Sequence, residues 1–225
     1  MKASRLIEAT KTFAVYCSGG ASRVLNFYSH PKNLSTLRPQ KVIYDGEREN
    51  VMDDLVNMFQ NDLIVFDLMT LTPEERRRPN TSTSRFIHSV LKEYEIEYLL
   101  CFGEKILKKE LLTAYAERLI NFHPSILPLF KGLRAIDQAL NEKAVFLGNT
   151  AHLMDQDIDS GKIILQSAML SNEFEDYGDV LELQYPMIKM VLRDLLNYDV
   201  NESDVFLELS GRKKKMLMPD CCNHP

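Results

Sequence analysis

Short apolar runs alternate with amphipathic stretches along the first part of the chain. Residues 12–17 (TFAVYC) are apolar and rich in β-formers, and they stop at Ser18-Gly19-Gly20. This pattern predicts a buried strand followed by a glycine turn. Residues 21–28 then place Val24, Leu25 and Tyr28 on one side of a helix. Further strands are expected at residues 41–44, 63–66, 98–102 and 119–123, and further helices at 51–59, 85–94 and 105–115. The polar stretch 71–84 (LTPEERRRPNTSTS) reads as a loop or a broken helix start. Strand and helix in regular alternation imply an α/β fold with a mostly parallel, open sheet and helices on both faces.

After His123 the texture changes. Residues 148–154 and 162–167 read as strands flanking the polar loop 155–161, and residues 181–196 as a long amphipathic helix. The tail 211–225 looks like an appendage or a short hairpin. One domain over residues 1–200 with an extension over 201–225 is therefore expected.

Composition narrows the class. A chain of 225 residues buries roughly 70% of its unfolded surface without needing staples. Hydrophobic residues at 45% and charged residues at 26% are the balance of a soluble globular protein. The net charge of −5 gives no global field for nucleic acid. Lys213, Lys214 and Lys215 read as a solvated run. Charges interrupt every candidate apolar core near the start, so neither a signal peptide nor a membrane span is expected. Cys17, Cys101, Cys221 and Cys222 do not make a disulfide framework, and a reducing cytoplasm is the default compartment.

In open parallel sheets, ligands sit outside the carboxyl ends of strands. Three polar features fall at strand ends here. Ser18, Gly19, Gly20, Ala21, Ser22 and Arg23 form a glycine turn opening a helix, which either cradles a phosphate on backbone N–H groups or is a tight connection and nothing more. Asn121 and His123, two apart on a strand, face the same side. One can donate to an oxyanion and the other can move a proton near neutral pH; equally, they cap the strand. The acids of Asp155-Gln156-Asp157-Ile158-Asp159 lack the glycine and the later glutamate of a calcium loop. A carboxylate there serves as a base or holds an imidazole, or the loop is a solvated turn. His152 either braces that loop or is a satisfied half-buried histidine. His30, His88 and His224 stand alone, and Cys221, Cys222 and His224 lack metal-site spacing, so no metal is expected.

Residues 120–140 read INFHPSILPLFKGLRAIDQAL and residues 148–166 read GNTAHLMDQDIDSGKIILQ. This combination resembles the 10-formyltetrahydrofolate-dependent formyltransferases, most closely the branch that formylates glycinamide ribonucleotide in purine synthesis. The likeness is strong from about residue 98 to 166 and fainter at residues 14–25. The resemblance implies a Rossmann-like formyltransferase fold and a catalytic trio of Asn121, His123 and Asp159. It implies a pocket for 10-formyltetrahydrofolate as co-substrate, lined by Lys105, Ile106, Leu107, Asp155, Gln156, Asp157 and Ile158. It also implies a substrate-phosphate loop at Ser18, Gly19, Gly20, Ala21, Ser22 and Arg23. The expected partner is a small, phosphorylated primary amine, with no nucleic acid or membrane, in a monomer or homodimer. Ala21, Arg23, Arg134 and Gln184 depart from the family pattern, mostly on the acceptor side. An amino sugar nucleotide as acceptor, or hydrolysis of 10-formyltetrahydrofolate, are the alternatives.

Overall fold

All five residues of Phe13–Cys17 (β1) are buried, because this strand runs through the middle of a seven-stranded sheet. In a computed structural model, which describes residues 9–174, 176–201, 208–209 and 212–213, the chain continues through Ser22–Ser29 (α1), Pro31–Thr36 (α2), Lys41–Tyr44 (β2), Glu49–Phe59 (α3) and Leu63–Val65 (β3). Pro73–Arg76 (α4), Pro79–Glu93 (α5), Tyr98–Phe102 (β4), Lys109–Ala114 (α6) and Leu119–His123 (β5) follow. Ala135–Asn141 (α7), Phe146–Leu153 (β6), Ile163–Leu170 (β7), Tyr177–Glu182 (α8) and Gln184–Asp194 (α9) complete the main body. Glu208–Leu209 (β8) and Arg212–Lys213 (β9) make a separate antiparallel ladder. Cys221, Cys222 and His224, and with them Lys214 and Lys215, lie outside the described residues.

The sheet order is β3-β2-β1-β4-β5-β6-β7. Pairs from β3 to β5 are parallel, whereas β5–β6 and β6–β7 are antiparallel. The strand order reverses between β1 and β4, so a crevice opens outside the carboxyl ends of β1, β4 and β5. Strand alternation sorts the core into two layers. Phe13, Val15, Leu100, Phe102, Ile120 and Phe122 pack on one face against α1, α3 and α9. Ala14, Tyr16, Leu99, Cys101 and Leu119 pack on the other against α5 and α6.

Several boundaries differ from expectation for local reasons. Residues 71–84 are largely helical. Thr72 and Glu75 form a capping box that starts α4, and Pro79 opens α5 six residues before the expected start at residue 85. Proline suits a first helical turn, which has no partner for its N–H. Residues 105–108 are not helical, and α6 is confined to Lys109–Ala114. The long helix expected over 181–196 is instead α8 followed by α9.

Candidate active site

The sheet brings the central residues together. Asn121 on β5 lies directly opposite His152 on β6 in an antiparallel pair, so their side chains share a face. His123, two residues on, shares it as well. This is the face that carries Leu119 and Cys101, and the carboxyl end of β5 opens it into a cavity. After β6, residues 155–161 turn back. The Asp155 carboxylate accepts from the Asp157 N–H at 3.1 Å and from the Ser160 hydroxyl at 2.7 Å, a local bond pattern that fixes such a turn. Asp159 takes a left-handed φ of 50°, which aspartate tolerates better than most residues. A methyl group on Gly161 would lie 1.8 Å from the Leu153 carbonyl oxygen, so only glycine lets this return pass.

The turn delivers the Asp159 carboxylate between two imidazoles. Its Oδ2 is 3.3 Å from His123 Nδ1, and its Oδ1 is 3.6 Å from His152 Nε2. The Gly132 N–H donates to the same Oδ2 at 2.8 Å. His123 Nε2 is 2.9 Å from the Phe130 carbonyl oxygen, which fixes the proton on that nitrogen and leaves Nδ1 toward the carboxylate. His152 Nδ1 is 2.9 Å from the Leu153 carbonyl oxygen, and its Nε2 is 3.2 Å from Asn121 Nδ2. Neutral His152 therefore accepts from the Asn121 amide, and protonated His152 donates to Asp159.

Burial pushes the His123 imidazole below its ordinary titration range; the Phe130 carbonyl and Asp159 oppose this, while His152 and Arg23 reinforce it. Burial alone would raise Asp159. The bonds from His152 and Gly132 and the charge of both imidazoles hold it below the ordinary carboxylate value instead. The pair thus offers an ionised carboxylate beside an imidazole that gains a proton only when further negative charge develops nearby.

A cavity of about 450 Å³ surrounds this trio. Lys105, Ile106 and Leu107 line it on one side, and Asp155, Gln156, Asp157 and Ile158 on the other. Leu133, Arg134, Met154 and His152 also contribute. Its size falls within the range of small-molecule sites. Asp155, placed among the pocket residues by the sequence, reaches the lining, but its Oδ1 oxygen is engaged within the turn.

A smaller cavity of about 170 Å³ lies at the end of β1, lined by Ser18, Gly20, Ala21, Ser22 and Arg23, with Phe102, Glu104 and Tyr177 among the others. Gly19 and Ala21 take left-handed φ values of 56° and 45°, which turn the chain sharply into α1. The Ser18 hydroxyl does not face this cavity with a free donor. It is bonded at 2.5 Å to the Asp45 carboxylate, which is 5% exposed and also accepts from Tyr16 at 2.8 Å. Arg23 donates to the carbonyl oxygens of Phe102 and Phe122 at 2.7 and 3.1 Å and to Gln184 Oε1 at 3.3 Å. Gln184 is fully buried and in turn donates to Asn149.

Sequence reasoning left His152 undecided and missed Glu104. Only the β5–β6 register reveals the first as a member of the trio's hydrogen-bond set. His30 is exposed, and His88 packs edge-on against Tyr115. Among the described residues, no group of three or more His, Cys, Asp or Glu is arranged to hold a metal ion, and no helix is long and apolar enough to cross a membrane.

A family model described as "Formyl transferase" matches residues 60–181. Phosphoribosylglycinamide formyltransferase of Bacillus subtilis (strain 168) is 32% identical over 111 residues, covering 47% of this chain and 57% of that protein. The chain thus spans little more than half the length of this curated relative. The crystal structure of phosphoribosylglycinamide formyltransferase from Bacillus halodurans superposes with a TM-score of 0.60 at 28% identity, over 82% of this chain and 91% of that one. Glycinamide ribonucleotide transformylase 1 from Geobacillus kaustophilus superposes with a TM-score of 0.68 at 23% identity, over 84% of this chain and 100% of that one, a likeness of fold.

Proposed function

This chain belongs to the formyl transferase family, and from that premise we propose that it transfers a formyl group from 10-formyltetrahydrofolate to a phosphorylated primary amine, with glycinamide ribonucleotide as the first candidate. The observation that carries this reading is the meeting of Asn121, His123 and Asp159 in one cavity of about 450 Å³.

Each residue has a role that its geometry allows. Asn121 has a second amide hydrogen beyond the one facing His152, and it donates this to the formyl oxygen as that oxygen gains charge. His123, once protonated, adds its positive charge near that oxygen while its two N–H groups stay on the Phe130 carbonyl and the Asp159 carboxylate, so Asn121 is the donor. A donor of this kind is worth roughly 3–4 kcal/mol elsewhere. Asp159 holds the imidazolium and takes the proton that the amine must lose, directly or through water. That proton ends on N10 of the departing tetrahydrofolate, so atoms balance with no covalent enzyme intermediate. Lys105, Ile106 and Leu107 with Asp155, Gln156, Asp157 and Ile158 hold the folate. Gly19 does not line the smaller cavity and the Ala21 N–H is taken by the Ser18 carbonyl at 3.0 Å, so the backbone of Gly20 and Ser22 and the guanidinium of Arg23 are left to hold the acceptor phosphate.

The test mixes the protein with 10-formyltetrahydrofolate and glycinamide ribonucleotide, and follows tetrahydrofolate release and the mass gain of one formyl group on the amine. Transfer to an amino sugar nucleotide alone would replace the acceptor and keep the class. Formate release at full rate without any amine would replace transfer by hydrolysis.

A further inference from the structure

The two cavities are not independent. Arg23, Glu104 and Pro124 belong to the linings of both, so these residues frame the neck that joins them. An acceptor with its anionic end in the smaller cavity and its amine beside Asn121 and His123 must pass this neck.

The two charged residues at the neck are prepared differently. The Arg23 guanidinium is partly buried and is held by carbonyl and amide oxygens, with no carboxylate bound to it among the described residues. Glu104 is exposed. Its backbone N–H donates to the Ser18 hydroxyl at 3.1 Å. Its side chain leans over the glycine turn, where a methyl group on Gly19 would lie 2.9 Å from Glu104 Oε1. Among the described residues Glu104 also makes no ion pair. Its negative charge acts on the Arg23 guanidinium across the neck and favours the charged form of that group. It favours any N–H or O–H that faces it, because a carboxylate is acceptor-only when ionised. Gln184 cannot share this task, since it is fully buried and lines neither cavity.

We propose that Glu104 is a specificity residue that accepts hydrogen bonds from hydroxyl groups in the acceptor's central segment, while Arg23 donates to its anionic end. The acceptor class this selects is an anion linked to a primary amine by a segment rich in hydroxyl groups, such as a sugar phosphate bearing an amino-acyl amide. The inference rests on the formyl-transfer reading and adds the residue that chooses the acceptor.

The experiment compares the wild-type protein and Glu104→Gln with glycinamide ribonucleotide and with its 2′,3′-dideoxy analogue, in the presence of 10-formyltetrahydrofolate. Removing a charged hydrogen-bond acceptor is expected to raise KM for the natural diol about tenfold, with kcat and the KM for 10-formyltetrahydrofolate within about twofold. With the dideoxy analogue, the wild-type protein and the variant should differ by less than about twofold. Equal losses with both acceptors, or no loss with either, overturn the role of Glu104 while leaving formyl transfer intact. Absence of transfer by the wild-type protein to any phosphorylated amine overturns the formyl-transfer reading, and this inference with it.

Discussion

The two halves of the site are built on opposite plans. Around Asn121, His123 and Asp159 the polar groups named above are tied to groups from other segments: β5 to β6, β5 to the 130–132 turn, and the 155–161 turn to both. Around Ser18–Arg23 the Ser18 hydroxyl is spent on Asp45, while Arg23 and Glu104 make no salt bridge among the described residues. Preorganised donors lower a barrier because they need no reorganisation when charge develops. Unpaired charges at a neck do something else: they wait for a ligand and sort ligands by their complement. The first half is suited to chemistry and the second to choice.

The sharpest way to break that comparison is His123→Ala. If the trio performs the chemistry, kcat should fall by about 10²–10⁴, with the KM for both substrates little changed. A fall of less than threefold would remove His123 from the reaction and erase the contrast.

Asp159→Asn should lower kcat by at least ~10² with folate binding kept, and it also separates charge from shape. Asp159 is one of the two groups that raise His123 against burial, so the variant should move the His123 titration further down in pH, as read by NMR of labelled histidine. The stability signature has a definite sign. Asp159 is held below its unfolded value of about 3.9, so it stabilises the fold above that pH. This contribution is lost as pH falls through the folded value. His123 behaves in the same sense one window higher. Its folded value lies below about 6.5, so the unfolded chain takes up protons first as pH drops through that point, and stability declines. In the variant, the lower step should flatten and the upper one extend to lower pH. Chemical denaturation at several pH values checks both.

Arg23→Gln sharpens the other half. The KM for a phosphorylated acceptor should rise about 10–100-fold, as expected when a charged hydrogen-bond partner is lost, with kcat within a few-fold. A large fall in kcat at unchanged KM would mean that Arg23 belongs to the chemical half.

The two halves were also unequally legible from sequence. The Asn-x-His spacing on a strand predicts a shared face before any coordinates, because strand periodicity is strict. The sheet and its crevice follow from alternation of strand and helix in the same way. What periodicity cannot show is which segments meet across the sheet. The Asn121–His152 pairing depends on the register of an antiparallel strand 31 residues away, and Glu104 reaches Gly19 only because β4 lies beside β1. The helix boundaries that shifted, at Pro79 and at Lys109, did so where capping and loop demands override the apolar stripe.

The smallest expected effect tests whether the loop's hydroxyl is structural, as the comparison requires. Asp45 is a buried carboxylate whose bonds come from the hydroxyls of Tyr16 and Ser18. Ser18→Ala deletes one of these donors and also the acceptor for the Glu104 N–H. A hydrogen bond to a charged group is worth about 1.5–3 kcal/mol, and at this chain length 1 kcal/mol moves Tm by about 2–4 °C. A drop of about 3–12 °C is therefore expected, with the KM for the acceptor shifted less than about threefold. An unchanged Tm with a tenfold rise in that KM would show that Ser18 turns its hydroxyl to the ligand instead, and that the acceptor half is built of ready donors after all.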